Sequence, residues 1–136
     1  MKLTLTLILS FILSFNLSNI SEILKEVESN GDIEAIGDSG LAYGVLQIHK
    51  GVIKDVNRYY GTDYLHDDAF IEVCAEEIFN LYLAIGINLY VKKHGKVPST
   101  EDVVRMWNGG IYRGYRKEST EKYYKKYKEV INALEN

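Results

Sequence analysis

The chain has 136 residues, of which 46% are apolar and 26% charged, with a formal net charge of −3. That length holds one domain, and the composition is that of a folded chain and not of a disordered one. One cysteine, Cys74, excludes an intramolecular disulfide; three scattered histidines (His49, His66, His94) give no metal-ligand spacing, and the mild acidity speaks against general nucleic-acid binding.

A positive start, Met1-Lys2, precedes the uncharged stretch Leu3 to Phe15. It is shorter than the roughly 20 apolar residues of a membrane span and matches the apolar region of a secretory signal. Asn16-Leu17-Ser18 offers a small residue but no Ala-x-Ala pattern. Residues 1–18 therefore read as a signal peptide or a membrane anchor, with a structural first helix as the remaining alternative. The expected location is exported (periplasm, cell envelope or secreted), with membrane association if the segment stays attached.

From Asn19 to Asn30, Ile20, Ile23, Leu24 and Val27 fall on one face of a helix, with Asn19 or Ser21 as its cap and Gly31 at its stop. Residues 31–48 are punctuated by Gly31, Gly37, Gly40 and Gly44. Ile33, Ala35 and Ile36, then Val45, Leu46 and Ile48, suit short strands or extended loop. Gly51 to Tyr60 reads as a short helix carrying Val52, Ile53 and Val56, and Gly61 to His66 as a turn. Asp67 to His94 is a long helix, apolar on nearly every side and so central and buried. Ser99 to Asp102 opens a short helix that ends near Trp107 at Asn108-Gly109-Gly110, and Ser119-Thr120-Glu121 opens a last one through Leu134.

Four places carry chemistry. Glu28 borders the apolar face of the first helix, in its last turn. The carbonyl end of a helix disfavours an ionised carboxylate, and so does partial burial. Both raise the pKa towards that of a general acid, unless the residue is simply a surface glutamate at a frayed end. Gln47 is polar among Val45, Leu46 and Ile48, and if buried it needs partners, either a neighbouring backbone or a sugar N-acetyl group. Trp107 and Asn108 sit at a helix stop, as a core residue and cap or as groups facing a ligand. Tyr123 and Tyr127 share a helical face; a phenol there either packs, stacks on a sugar or holds a carboxyl group.

Taken together, Glu28-Ser29, the loop Gly37-Asp38-Ser39-Gly40…Tyr43-Gly44-Val45-Leu46-Gln47-Ile48, Trp107-Asn108-Gly109-Gly110 and Thr120-x-x-Tyr123 resemble the soluble lytic transglycosylase domain and its relative, goose-type lysozyme. The resemblance spans about residues 20–130. It implies a mainly α, lysozyme-like fold with a long buried central helix and a small β region. It implies a catalytic domain over 19–136 that cleaves the β-1,4 bond from N-acetylmuramic acid to N-acetylglucosamine, without a cofactor or metal. Glu28 is then the catalytic acid. Ser29, Gln47 and Asn108 meet the sugar, Tyr43 lines the cleft, Trp107 replaces a usual tyrosine, and Tyr123 stands near the acid. Asp38 matches another goose-type acidic position.

Leu46 stands where methionine is usual, and His49 where goose-type lysozymes have an aspartate. The missing aspartate favours a transglycosylase that forms a 1,6-anhydro product over a hydrolase of the same bond. An inactive glycan-binding or structural module is the rival from another class. The expected partner is the peptidoglycan glycan strand. From Arg105 to Lys128 eight cations face only Glu118 and Glu121, a surface for anionic wall polymers or merely a solvated face.

Overall fold

The computed structural model describes the backbone of residues 2–136 and the side chains of residues 16–136. In chain order come α1 (Lys2–Ser29), three short strands β1 (Ile36–Gly37), β2 (Ala42–Tyr43) and β3 (Ile48–His49), then α2 (Lys50–Tyr60), α3 (Glu72–His94), α4 (Thr100–Gly109) and α5 (Glu121–Glu135). The fold is mainly helical with one small β region, as the sequence implied. The strands form an antiparallel sheet in the order β1-β2-β3.

Ile20, Leu24 and Val27 of α1 are buried as their spacing demanded, and Ile23 packs half-buried beside them. Burying an aliphatic side chain of this size contributes about 1.5–3 kcal/mol. The expected helix start at Asn19 or Ser21 is not there. α1 runs straight through, and the Ser21 hydroxyl turns back to donate to the Ser18 carbonyl at 2.9 Å. Leu17, within the segment expected to end at Ser18, is only 6% exposed and belongs to the core. Residues 1–15 of the signal-or-anchor segment have their side chains outside the described residues. Among the described residues, no helix is long and apolar enough to cross a membrane.

α1 is tied to α3 by a buried ammonium. Lys25 reaches Glu22 at 2.7 Å and Glu72 at 2.9 Å, and also meets Glu76. Burial disfavours the Lys25 charge, but the hydrogen bonds it donates to three carboxylates outweigh that and hold its pKa above the ordinary value.

α3 is the central helix. Ala75, Ile78, Phe79, Tyr82, Leu83, Ile85, Gly86, Ile87 and Tyr90 are buried along it, while Leu89 and Val91 remain exposed near its end. It starts later than expected. His66–Phe70 forms a 3-10 turn first, and Ile71 is extended. The Asp68 carboxylate accepts the Leu65 N–H at 2.7 Å and closes that turn. The turn packs against Gly44, whose φ of +76° would tolerate few other residues. A Cβ there would lie 1.9 Å from the Ala69 carbonyl oxygen.

Ser99 caps α4 as expected. Its hydroxyl accepts the Asp102 N–H at 3.1 Å, and the Asp102 carboxylate accepts the Ser99 N–H at 3.3 Å. α4 runs on past Trp107 to Gly109 before Gly110 ends it. Three of the cations of that basic run bond to the protein itself, although Lys117 and Lys126 stay exposed. Arg105 donates to the Thr120 hydroxyl at 2.7 Å and the Lys117 carbonyl at 3.0 Å. Lys117 donates to the Gly109 carbonyl, and Lys126 to the Val27 carbonyl at 2.8 Å.

Candidate active site

A polar cleft of about 330 Å³ lies between the helices and the small sheet, lined by Glu28, Gly37, Asp38, Gln47, His49, Val52, Trp107 and Asn108. α1 brings Glu28, α4 brings Trp107 and Asn108, and the sheet with its loops brings the rest apart from Val52 of α2. Five of the residues singled out from sequence (Glu28, Asp38, Gln47, Trp107, Asn108) therefore meet in one place.

α5 clamps the last turn of α1. Tyr123 and Lys126 are three residues apart and share a helical face. The Tyr123 hydroxyl donates to Glu28 Oε1 at 2.5 Å, and the Lys126 ammonium takes the Val27 carbonyl. Burial pushes the Glu28 carboxyl from its ordinary 4.5 up to about 7. The Tyr123 hydroxyl, the Trp107 side chain and the Lys126 charge pull the other way, and the Asp38 carboxylate adds to the rise. Burial wins. The helix end, invoked from sequence for the same effect, is partly neutralised by Lys126. Burial and the Glu28 charge also hold the Tyr123 phenol far above its ordinary pKa, so it remains a donor.

Gln47 finds backbone partners. Its amide nitrogen donates to the Gly44 carbonyl at 2.9 Å and the Ala35 carbonyl at 3.3 Å. Those bonds fix the side chain over Gly37, where an added Cβ would sit 2.0 Å from Gln47 Oε1. The wall is strained: Asp38, Ser39 and Gln47 have φ of 47°, 55° and 50°. Residues with a Cβ rarely adopt that left-handed region, and such strain concentrates at functional sites. Trp107 is 8% exposed and packs on Phe79 with ring centres 4.8 Å apart, so it serves the core and the cleft together.

Two residues expected to contact sugar are placed elsewhere. The Ser29 hydroxyl lies 2.8 Å from the Val45 carbonyl and pins the end of α1 to the loop before β3. Tyr43 stacks on His66 at 3.8 Å and on Phe70 at 4.8 Å. It lines an adjoining groove of about 200 Å³ with Gly40, Leu41, His49, Lys50, Gly51 and His66. From sequence, His49 stood out chiefly for the aspartate it replaces. In the structure its ring Nε2 lies 2.8 Å from Asp38 Oδ2, and it borders both the cleft and the groove. Its place directly after the Gln47-Ile48 run was the available signal.

Compared with protein-family models, curated proteins and solved structures, the chain matches none.

Proposed function

We propose that this chain is a peptidoglycan-cleaving enzyme of lysozyme-like fold, a lytic transglycosylase cutting between N-acetylmuramic acid and N-acetylglucosamine. The observation that carries the reading is Glu28: a carboxyl group with a pKa of about 7, held by Tyr123 in a cleft lined by Gln47, Trp107 and Asn108. A protonated carboxyl near neutral pH is what a leaving glycosidic oxygen requires. An amide, an indole edge and a second carboxylate suit a ligand rich in hydroxyl and N-acetyl groups.

Glu28 protonates the leaving oxygen, and the substrate's own N-acetyl carbonyl stabilises the cationic sugar. Glu28, now ionised, takes the proton of the muramic 6-hydroxyl as that oxygen closes onto the anomeric carbon. This route needs one carboxyl group, used first as acid and then as base. The apolar N-terminal stretch supports export to the compartment where this polymer lies.

Incubation with purified peptidoglycan and mass spectrometry of the soluble products tests the proposal. The wild type is expected to release muropeptides with anhydro ends, and Glu28→Gln to release almost none while keeping its fold. A wild type that binds the polymer without releasing fragments would instead be a glycan-binding module. Full activity in Glu28→Gln would remove Glu28 as the acid.

A further inference from the structure

The transglycosylase route leaves one built feature of the cleft unused. His49 and Asp38 line the same cleft as Glu28, and their side chains are joined at 2.8 Å. The sheet register sets them up. Gly37 pairs with Ala42, and Ala42 with His49, so Gly37 and His49 lie on opposite edges of a three-strand row. Asp38 follows Gly37 and enters the left-handed region together with Ser39, at φ of 47° and 55°. In that conformation its carboxylate meets the ring of His49. The backbone thus adopts an uncommon geometry where two polar side chains meet.

The chemistry of the pair follows from its hydrogen bond. An ionised Asp38 can only accept, so the neutral His49 ring carries its proton on Nε2 and donates it to Asp38. Nδ1 is then left with a free lone pair. Among the described residues no other group hydrogen-bonds to the His49 ring. The charged and titratable groups around it are Asp38, Glu28 in the cleft, and Tyr43, Lys50 and His66 in the adjoining groove. A histidine oriented by a carboxylate, lining a cleft and with its other nitrogen unpartnered, is the arrangement of a general base.

The geometry points to a second activity in this cleft: His49, oriented by Asp38, delivers water to the anomeric carbon, so that part of the glycan is hydrolysed and not closed into the anhydro ring. This inference rests on Glu28 being the acid of the proposed reaction. In the step, the Glu28 proton passes to the leaving oxygen and the bond from that oxygen to the anomeric carbon breaks. A water oxygen bonds to the same carbon from the opposite side, and its proton passes to His49 Nδ1. Solvent then returns a proton to Glu28 and takes one from His49. One water is consumed, and the new ends are a reducing muramic acid and a free 4-hydroxyl. Asp38 touches neither sugar nor water in this step and acts as a positioning residue.

Digestion of purified peptidoglycan by the full chain, with mass spectrometry and early-time proton NMR, tests the assignment. An anhydro end is one water lighter than a hydrolysed end, so the two products are counted separately. The wild type is expected to release both, with the hydrolysed ends appearing first as the α anomer. His49→Ala is expected to lower the ratio of hydrolysed to anhydro ends by about 10²-fold. Asp38→Asn should lower it less, and added imidazole should restore hydrolysed ends to His49→Ala. His49→Gln, which keeps a donor for Asp38 but no base, repeats the ratio test if alanine unsettles the sheet edge. An unchanged ratio in both His49 variants, anhydro ends alone from the wild type, or the β anomer appearing first would overturn the base assignment. Release of neither end by the wild type would overturn the reading of the cleft itself.

Discussion

The Tyr123 hydroxyl and the Glu28 carboxylate, 95 residues apart in the chain, meet at 2.5 Å where α5 crosses the end of α1. The bond favours the ionised form of Glu28, and burial favours the neutral form more strongly. Tyr123 thus orients the acid while burial sets its protonation.

Tyr123→Phe separates those two effects. Loss of the donor removes a force that lowers the Glu28 pKa, so the alkaline limb of kcat/KM should move to higher pH. A hydrogen bond to a charged group contributes about 1.5–3 kcal/mol, and if the transition state loses as much, turnover falls by about tenfold or more. Measuring kcat/KM against pH for both proteins checks the shift and the loss together. A shift to lower pH would contradict the stated role of Tyr123.

The raised pKa of Glu28 also makes stability depend on pH. In the unfolded chain the carboxyl ionises near 4.5, and in the folded chain near 7. Between those values the folded state holds more protons, so stability falls as pH rises through the window and levels off above it. The integrated loss is about 3 kcal/mol, and Glu28→Gln should escape it. Thermal melts at pH 4.5 and pH 8 should show the variant gaining on the wild type at the higher pH, while its glycan cleavage is abolished. Equal melting differences at both values would mean that Glu28 ionises normally.

Glu28 was legible in the sequence because the helical spacing of Ile20, Leu24 and Val27 fixes which way residue 28 points. Tyr123 and Asn108 were legible through short motifs at helix ends. The long central helix was evident from its apolar residues, and its late start was not, because Asp67 and Asp68 cap a 3-10 turn as readily as an α-helix. The pairing of Asp38 with His49 depends on two consecutive left-handed residues with side chains, which propensity never favours. Ser29 and Tyr43 were assigned to sugar by motif alone. The Val45 carbonyl and the His66 ring, which actually engage them, come from loops whose course the sequence does not fix.

Lys25 offers a test of the α1–α3 junction away from the cleft. Lys25→Met keeps the apolar stem but leaves Glu22, Glu72 and Glu76 facing one another without a cation. The carboxylates are partly exposed, so the loss should be about 2 kcal/mol, below that for a fully buried broken pair. Added salt screens the remaining repulsion and should narrow the gap to the wild type. Urea unfolding at low and high salt measures both quantities, and a gap that widens with salt would argue against repulsion as its source.

Two glycines near the cleft should respond to alanine in opposite ways. At Gly44 the new Cβ would lie 1.9 Å from the Ala69 carbonyl oxygen, on a backbone with φ of +76°. Neither the carbonyl nor the angle can yield locally, so Gly44→Ala should cost more than about 2 kcal/mol and lower the melting temperature sharply. At Gly37 the obstacle is Gln47 Oε1, 2.0 Å away, and the backbone is extended. A side-chain amide can swing aside at small cost to the fold, but it then loses its bonds to Gly44 and Ala35 and moves in the cleft. Gly37→Ala should therefore melt within about 1 kcal/mol of the wild type and still lose much of its glycan cleavage. Melting curves and product release measured on the two variants side by side check the contrast; a strongly unfolded Gly37→Ala would show that the Gln47 bonds hold the sheet as well as the cleft wall.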